Sequence, residues 1–243
     1  MMIIRSRMIL IACVVLVPRS LALADLAPMD VVRKAMQAQD GVKDYTATVT
    51  VDAKIPDVDM PVRSAKVYVK RPDKVFVDSR GLILIPRRAL LFGDLAKEID
   101  KETTASFVGK RTDGGVTTYC VKLVPKNKDN AEARNARVLV WVRSDRWTTD
   151  KVHVFSGDKL ILSVDFSYAK SGGFWMPTKV DCVVKGDFAG EGKQARVSAS
   201  FKDYEVNTGL TDEFMDRKIA EASRSRQGSG NRHFGPPHRG RRP

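Results

Sequence analysis

Few side chains in this sequence combine a reactive type with a spacing that could do covalent chemistry. His153 is the one histidine ahead of the C-terminal stretch, and it falls on the strand face opposite Val152 and Val154. With no acid or nucleophile at a fixed spacing, that imidazole reads as inert. Asp57 and Asp59 could bring two carboxylates together, as a glycosidase needs across a groove, but they sit in a Pro-flanked loop where acids ordinarily face solvent. Cys120 and Cys182 lie on different strands and make no zinc site, and His233 and His238 in the tail would bind metal only weakly. There is no Gly-x-Ser-x-Gly elbow and no Walker loop, since the glycine pairs fall in hairpin turns. The expectation is a non-enzyme with no metal and no cofactor.

The chemistry that remains is recognition. In "YVKRPDKVFVD" a guanidinium, Arg71, ends a strand and precedes Pro72. Arginine carries five donors in a rigid fork. At the rim of an apolar cavity it could grip helix-end carbonyls and act as a gate, opened at the cost of a few hydrogen bonds. The other reading is a surface arginine before a turn proline, since few strand-end ion pairs matter energetically. Tyr68 on the same strand reads either as a cavity wall or as an ordinary core or wet-face aromatic.

These residues must be positioned by the segments around them, beginning at the ends of the chain. Residues 1–24 read as a signal peptide. Arg5 and Arg7 precede an apolar Met8–Val17 run, and Ala22-Leu23-Ala24 places the cut before Asp25. Pro18-Arg19 interrupts a stretch that would need about 20 apolar residues to span a bilayer. An alternative makes Leu10-Ile11-Ala12-Cys13 a lipobox, with a lipidated Cys13 tethering the protein, although only about five apolar residues precede that cysteine. Residues 223–243, rich in Gly, Ser, Pro and Arg, cannot bury enough surface to offset their ordering and are expected to be disordered.

Charge takes a different meaning once the ends are separated. The chain carries +13, the signal removes three arginines and the tail holds six more, which leaves the body 25–222 at about +4. The basic tail therefore suits an anionic envelope surface, each basic residue adding about 1 kcal/mol there. No nucleic-acid partner is expected. Export permits a Cys120–Cys182 bridge. Strand alternation puts Cys182 with Val180 and Val184, however, and Cys120 opposite Tyr119, Val121 and Leu123, so two free thiols are expected.

The body is long enough for one domain. Met29, Val32 and Met36 recur at helical spacing up to Gly41. The period then becomes two: Tyr45, Ala47, Val49, Val51 and Ala53 alternate with polar residues, one face buried and one wet. Further strands are expected at Arg63–Lys70, Lys74–Ser79, Thr103–Arg111, Val116–Val124, Ala136–Arg143, Thr148–Phe155, Leu160–Ala169, Phe174–Lys185 and Ala195–Val206. Short turns such as Asp113-Gly114-Gly115 and Ser171-Gly172-Gly173 favour an antiparallel meander. A helix over Thr211–Ala222, capped by Thr211, closes the body.

Only Gly81–Leu95 breaks the alternation. It is apolar throughout Leu82–Ile85, and Leu90, Leu91 and Leu95 stripe whatever short helix follows Pro86. It reads as a core-covering helix or as a lid. The fold class is mainly β with a few helices: an open, strongly curved antiparallel sheet of about ten strands, with helices covering an apolar concave face. A sheet of that size curls. If the helices fill the curl the interior is packed, and if they do not, a lipophilic ligand fits.

The ordered set "DYTATVTVD", "AKVYVKRPDKVFV", "TYCVKLVPKNKDN", "ARVLVWV" and "YEVNTGLTDEFM" resembles the LolA/LolB superfamily of periplasmic lipoprotein carriers and receptors, over most of Pro28–Met215. The resemblance implies an incomplete β-barrel with a helical lid over a hydrophobic cavity. It further implies a periplasmic carrier of lipoprotein or lipid acyl chains, with membrane lipoprotein-transport proteins as partners. It assigns lid gating to Arg71, and the candidate ligand-binding and gating set read with it is Arg71, Pro72, Tyr68, Leu82, Leu84, Leu90 and Leu91. The superfamily's usual Asp-Gly-x-x-x-Trp strand is replaced here by Gly81–Leu95. Two other roles fit the same frame: an envelope sensor binding a membrane-protein partner, and, if Cys13 is lipidated, a tethered LolB-like receptor.

Overall fold

A computed structural model describes residues 26–79, 90, 101–129, 131–186 and 193–230. The proposed signal peptide, Leu82, Leu84, Leu91 and the tail from 231 onward lie outside the described residues.

Ten strands run β1 (Asp44–Lys54), β2 (Arg63–Lys70), β3 (Lys74–Asp78), β4 (Thr103–Asp113), β5 (Val116–Pro125), β6 (Ala136–Arg143), β7 (Thr148–Ser156), β8 (Lys159–Ser171), β9 (Phe174–Lys185) and β10 (Gln194–Val206). Three helices are described: α1 (Pro28–Gln37), α2 (Ala131–Asn135) and α3 (Asp212–Gly230). All ten strands join one antiparallel sheet in the order β3-β2-β1-β10-β9-β8-β7-β6-β5-β4, curved but not closed into a barrel. The meander follows from turns too short for crossovers. Among the described residues the one long-range strand pairing is β1 with β10, which brings the two halves of the chain together in mid-sheet.

The period-two alternation selects one face. Tyr45, Ala47, Val49, Val51 and Ala53 of β1 and Val67 and Val69 of β2 are all buried. All of these but Ala53 form one apolar cluster with Val75, Met176, Phe201 and Leu90. A second cluster lies further along the same face, where Val31 and Val32 of α1 pack on Val121, Leu123, Val140 and Val142. α1 begins with Pro28 at its first turn and with Asp30 beside the positive helix end. Its apolar stripe explains its seat across β4–β7.

α3 departs from expectation in place and length. It packs at β3 against the outer face, where the ring of Phe214 lies 5.6 Å from that of Tyr68, itself 5.9 Å from Phe76. Those two aromatics occupy alternate positions to Val67, Val69 and Val75, so the only apolar seat for Phe214 at this edge is on the outside. Lys74 reaches Asp212 at 2.9 Å and Asp216 at 2.8 Å, and Lys70 reaches Asp212 at 3.2 Å. These exposed pairs orient the helix more than they stabilise it. Thr211 caps the helix as its type suggests, accepting from the Phe214 amide at 3.2 Å. The helix continues to Gly230, past the Ala222 boundary read from sequence and into the first residues of the segment expected to be disordered.

Candidate functional site

The inner face is best followed across strands in register. Ala53, Val197, Cys182, Val164, Val152, Val140, Val121 and Phe107 stand opposite one another in sequence, one per strand from β1 to β4 across eight strands. Every one is apolar or a thiol. Ala53, at one end of the row, is closed by the first cluster's strands, and Val140 and Val121 are closed by α1. Val197, packed against the first cluster, and Val152, packed against the second, bracket Cys182 and Val164, and all four are only half-buried. A second row repeats this: Val51 is buried, and Ala199, Val180 and Phe166 are half-buried. The two packed clusters thus flank a strip of β7–β10 on which apolar side chains are incompletely covered. Leaving such a strip uncovered costs free energy, on the order of 25 cal/mol per Å² of apolar surface.

Several polar groups hold the rim. The Arg71 Nη1 donates to the Gln39 carbonyl at 3.1 Å, just past the C-terminal end of α1, and its own amide donates to the Lys43 carbonyl at 2.9 Å. Asp40 lies 4.0 Å from the guanidinium, close enough for only a weak ion pair. The Gln39 Nε2 donates to the Trp175 carbonyl at 2.8 Å and ties the same helix end to β9. The Arg71–Pro72 peptide is cis. Pro72 lines an open groove of about 730 Å³ with Val42, Leu210 and Thr211, outside the inner strip.

Three tyrosines ring this end of the inner face, each donating its hydroxyl to a backbone carbonyl: Tyr45 to Leu90 at 2.7 Å, Tyr168 to Thr149 at 2.9 Å and Tyr204 to Pro177 at 2.8 Å. Tyr45 and Tyr204 rings lie 5.7 Å apart. Burial pushes all three phenols well above the ordinary tyrosine range. The charge of Arg71 acts the other way on Tyr45, and that of Arg146 on Tyr168, without overcoming it. The Tyr45–Leu90 hydrogen bond, together with the burial of Leu90 in the first cluster, ties the sheet to the greasy segment that sequence singled out.

Of the expected site residues, then, Arg71 meets a helix-end carbonyl and lines with Pro72 a groove outside the inner strip, and Leu90 is fully buried in the first cluster. Tyr68 is placed with neither, because strand parity turns it to the outer face under α3. Tyr45, Gln39 and the half-buried row were not singled out from sequence. Tyr45 had a signal, being the one hydroxyl on an otherwise wholly apolar strand face; Gln39 had none. Cys182 lies on the inner face and Cys120 on the outer, both as free thiols whose burial pushes them up. His153 packs edge-on to Trp141 at 4.8 Å on the outer face, and among the described residues no group of acids, histidines and cysteines could hold a metal.

Solved structures share this architecture. A domain described as that of an outer membrane lipoprotein-sorting protein from Vibrio parahaemolyticus superposes with a TM-score of 0.58 at 10% identity, over 79% of this chain and 97% of that one. A DUF1329 family protein from Desulfovibrio piger gives 0.52 at 18% identity, over 80% and 99%. A LolA superfamily protein from Nitrosomonas europaea gives 0.50 at 10% identity, over 78% and 97%. No curated protein matches the sequence. A family model described only as that of an uncharacterized-protein-like family matches residues 88–218, more than half of the chain. The chain therefore belongs to that uncharacterized-protein-like family, and its fold is that of the LolA superfamily.

Proposed function

We propose that the protein is an exported carrier that binds lipid or lipoprotein acyl chains on the half-covered inner strip and moves them across the cell envelope. The observation that carries this reading is the half-buried row Val197, Cys182, Val164 and Val152, its ends packed on the two clusters and its centre left partly uncovered. Each acyl methylene buried there would contribute about 0.8 kcal/mol, so a few methylenes suffice for appreciable binding. The fold, shared with a protein described as lipoprotein-sorting, is consistent with such cargo. Arg71 and Tyr45 would act as latches, one on the end of α1 and one on the Leu90 segment, with no catalytic step. The mature chain would begin at Asp25, with 25–222 as the binding domain and the basic tail free to meet an anionic envelope surface.

Native mass spectrometry of protein purified from an envelope extract should find acyl species, or uptake of added fatty acid. A protein that neither carries nor takes up either would sink the proposal. The two thiols give a sharper test. Bound acyl chains should slow alkylation of Cys182 and leave Cys120 unchanged, since only Cys182 lies on the strip. Cys182→Trp should fill the strip and lower fatty-acid uptake at least tenfold, with a cost below about 3 kcal/mol in stability. Equal protection of both thiols would place the ligand elsewhere. Arg71→Leu should leave the sheet folded and speed cargo release, as the end of α1 loses a charge-assisted hydrogen bond worth about 1.5–3 kcal/mol. Release at the wild-type rate would remove Arg71 from the gating role.

A further inference from the structure

β4 ends the sheet, and no described strand pairs with its free edge. From Ser106 to Asp113 every residue of it is exposed, and the stretch reads Phe107-Val108-Gly109-Lys110-Arg111 at its centre. Phe107 is 42% exposed and Val108 57%. Phe107 stands opposite Val121 and Gly109 opposite Cys120, so Val108 is an extra residue in the ladder, a bulge that leaves its side chain unsupported by β5. Bulges at edges bend the strand and obstruct the addition of a further strand. A second copy pairing along β4 is therefore a poor fit for this edge. What the bulge does achieve is to leave Val108 exposed at the edge beside Phe107, whose ring lies 5.9 Å from that of Tyr119 on the inner side.

Basic groups follow directly. Arg111 and Arg143, with Trp141 and Thr118, line a groove of about 700 Å³ on the outer face behind the bulge, and Lys110, opposite Tyr119 on the inner side, borders it from the edge. Arg111 has only a loose, exposed ion pair with Asp113 at 3.8 Å, whereas Arg143 is held by Asp145 at 2.9 Å and so presents a fixed guanidinium. Exposed Val58, by contrast, sits between Asp57 and Asp59, acids that would repel an anionic surface. At this one edge exposed Phe107 and Lys110 on the inner side meet Arg111 and the Trp141 groove on the outer, and apolar groups interleaved with cations along a narrow rim suit the boundary between headgroups and acyl chains.

We infer that the β4 edge docks the protein on an anionic lipid surface, with Phe107 and Val108 entering the headgroup boundary and Lys110 and Arg111 meeting lipid phosphates. This deepens the carrier reading and rests on it only for the reason a membrane is visited. The test is sedimentation of the full chain with phosphatidylcholine vesicles, with and without a minority of phosphatidylglycerol. The wild type should sediment with the phosphatidylglycerol vesicles alone, and less so as salt rises. Phe107→Ser with Val108→Ser should weaken that binding about tenfold. Lys110→Ser with Arg111→Ser should weaken it by about the same factor and flatten its salt dependence. The Lys110→Ser, Arg111→Ser pair should keep wild-type fatty-acid uptake, which separates a failure here from a failure of the carrier reading. Equal sedimentation with neutral vesicles, or β4 variants that bind as the wild type does, would overturn the inference. Wild type that ignores vesicles but binds an acidic protein would overturn it too, and would give this edge to that protein.

Discussion

Raising the pH through about 10 should unfold this protein steeply, at about 4 kcal/mol of lost stability per pH unit. Tyr45, Tyr168 and Tyr204 each bury a phenol whose proton points at a carbonyl oxygen. Ionisation would remove that donor and set an oxyanion against the carbonyl in an apolar surround, and burial accordingly raises all three. In the unfolded chain the same phenols titrate near the ordinary tyrosine value of about 10. Their folded affinities for the proton are higher, so their contribution to stability is complete below that pH. Above it, the unfolded state releases protons that the folded state keeps, and stability falls by about 1.4 kcal/mol per pH unit for each tyrosine. Urea unfolding followed from pH 8 upward by far-UV circular dichroism measures the slope, and Tyr204→Phe should remove about one third of it. A slope unchanged in that variant would mean the ring end of the inner face is wetter than the hydrogen bonds indicate.

Asp44→Ala should cost about 3 kcal/mol, because it strips a buried acceptor from three donors at once. The Asp44 carboxylate accepts from the Thr208 amide at 2.8 Å, the Thr208 hydroxyl at 3.2 Å and the Gly209 amide at 3.1 Å. Asn207 completes the junction. It holds a positive φ of 57°, which asparagine tolerates well; its Oδ1 accepts from the Lys43 amide at 2.7 Å, and its Nδ2 donates to the Gly41 carbonyl at 2.9 Å. This network staples the start of β1 to the end of β10, the one pairing that closes the chain's two halves. Asn207→Ala should cost somewhat less, about 2 kcal/mol. The double variant should cost less than the sum, since the two side chains brace the same short segment. Urea midpoints at constant slope are the measurement. An Asp44→Ala variant within about 0.5 kcal/mol of wild type would show the junction to be held by β1–β10 packing alone.

The lipid-binding reading gains its physical interest from incompleteness. α1 and the Leu90 cluster each bury part of the inner face, yet between them lies a strip with the same alternation and less cover. Arg71 does not touch that strip. It ties down the turn after α1, so its influence on the strip acts through the helix it holds.

By itself, the sequence determined the strands, their antiparallel run through short turns, and the apolar face of each alternating strand, because a period of two admits only two registers and one of them exposes every valine. That logic placed Cys120 and Cys182 on opposite faces and identified Thr211 as a cap. Only the tertiary structure decided which part of the apolar face is covered, since alternation along β8 or β9 reads the same beneath a helix as beside a hollow. It also decided that Tyr68 faces α3, that Arg71 meets a carbonyl 32 residues earlier in the chain, and that Asp44 is buried among three donors from beyond β10. These are contacts between segments far apart in sequence. Local pattern carries the direction of a side chain but not the identity of what arrives to meet it.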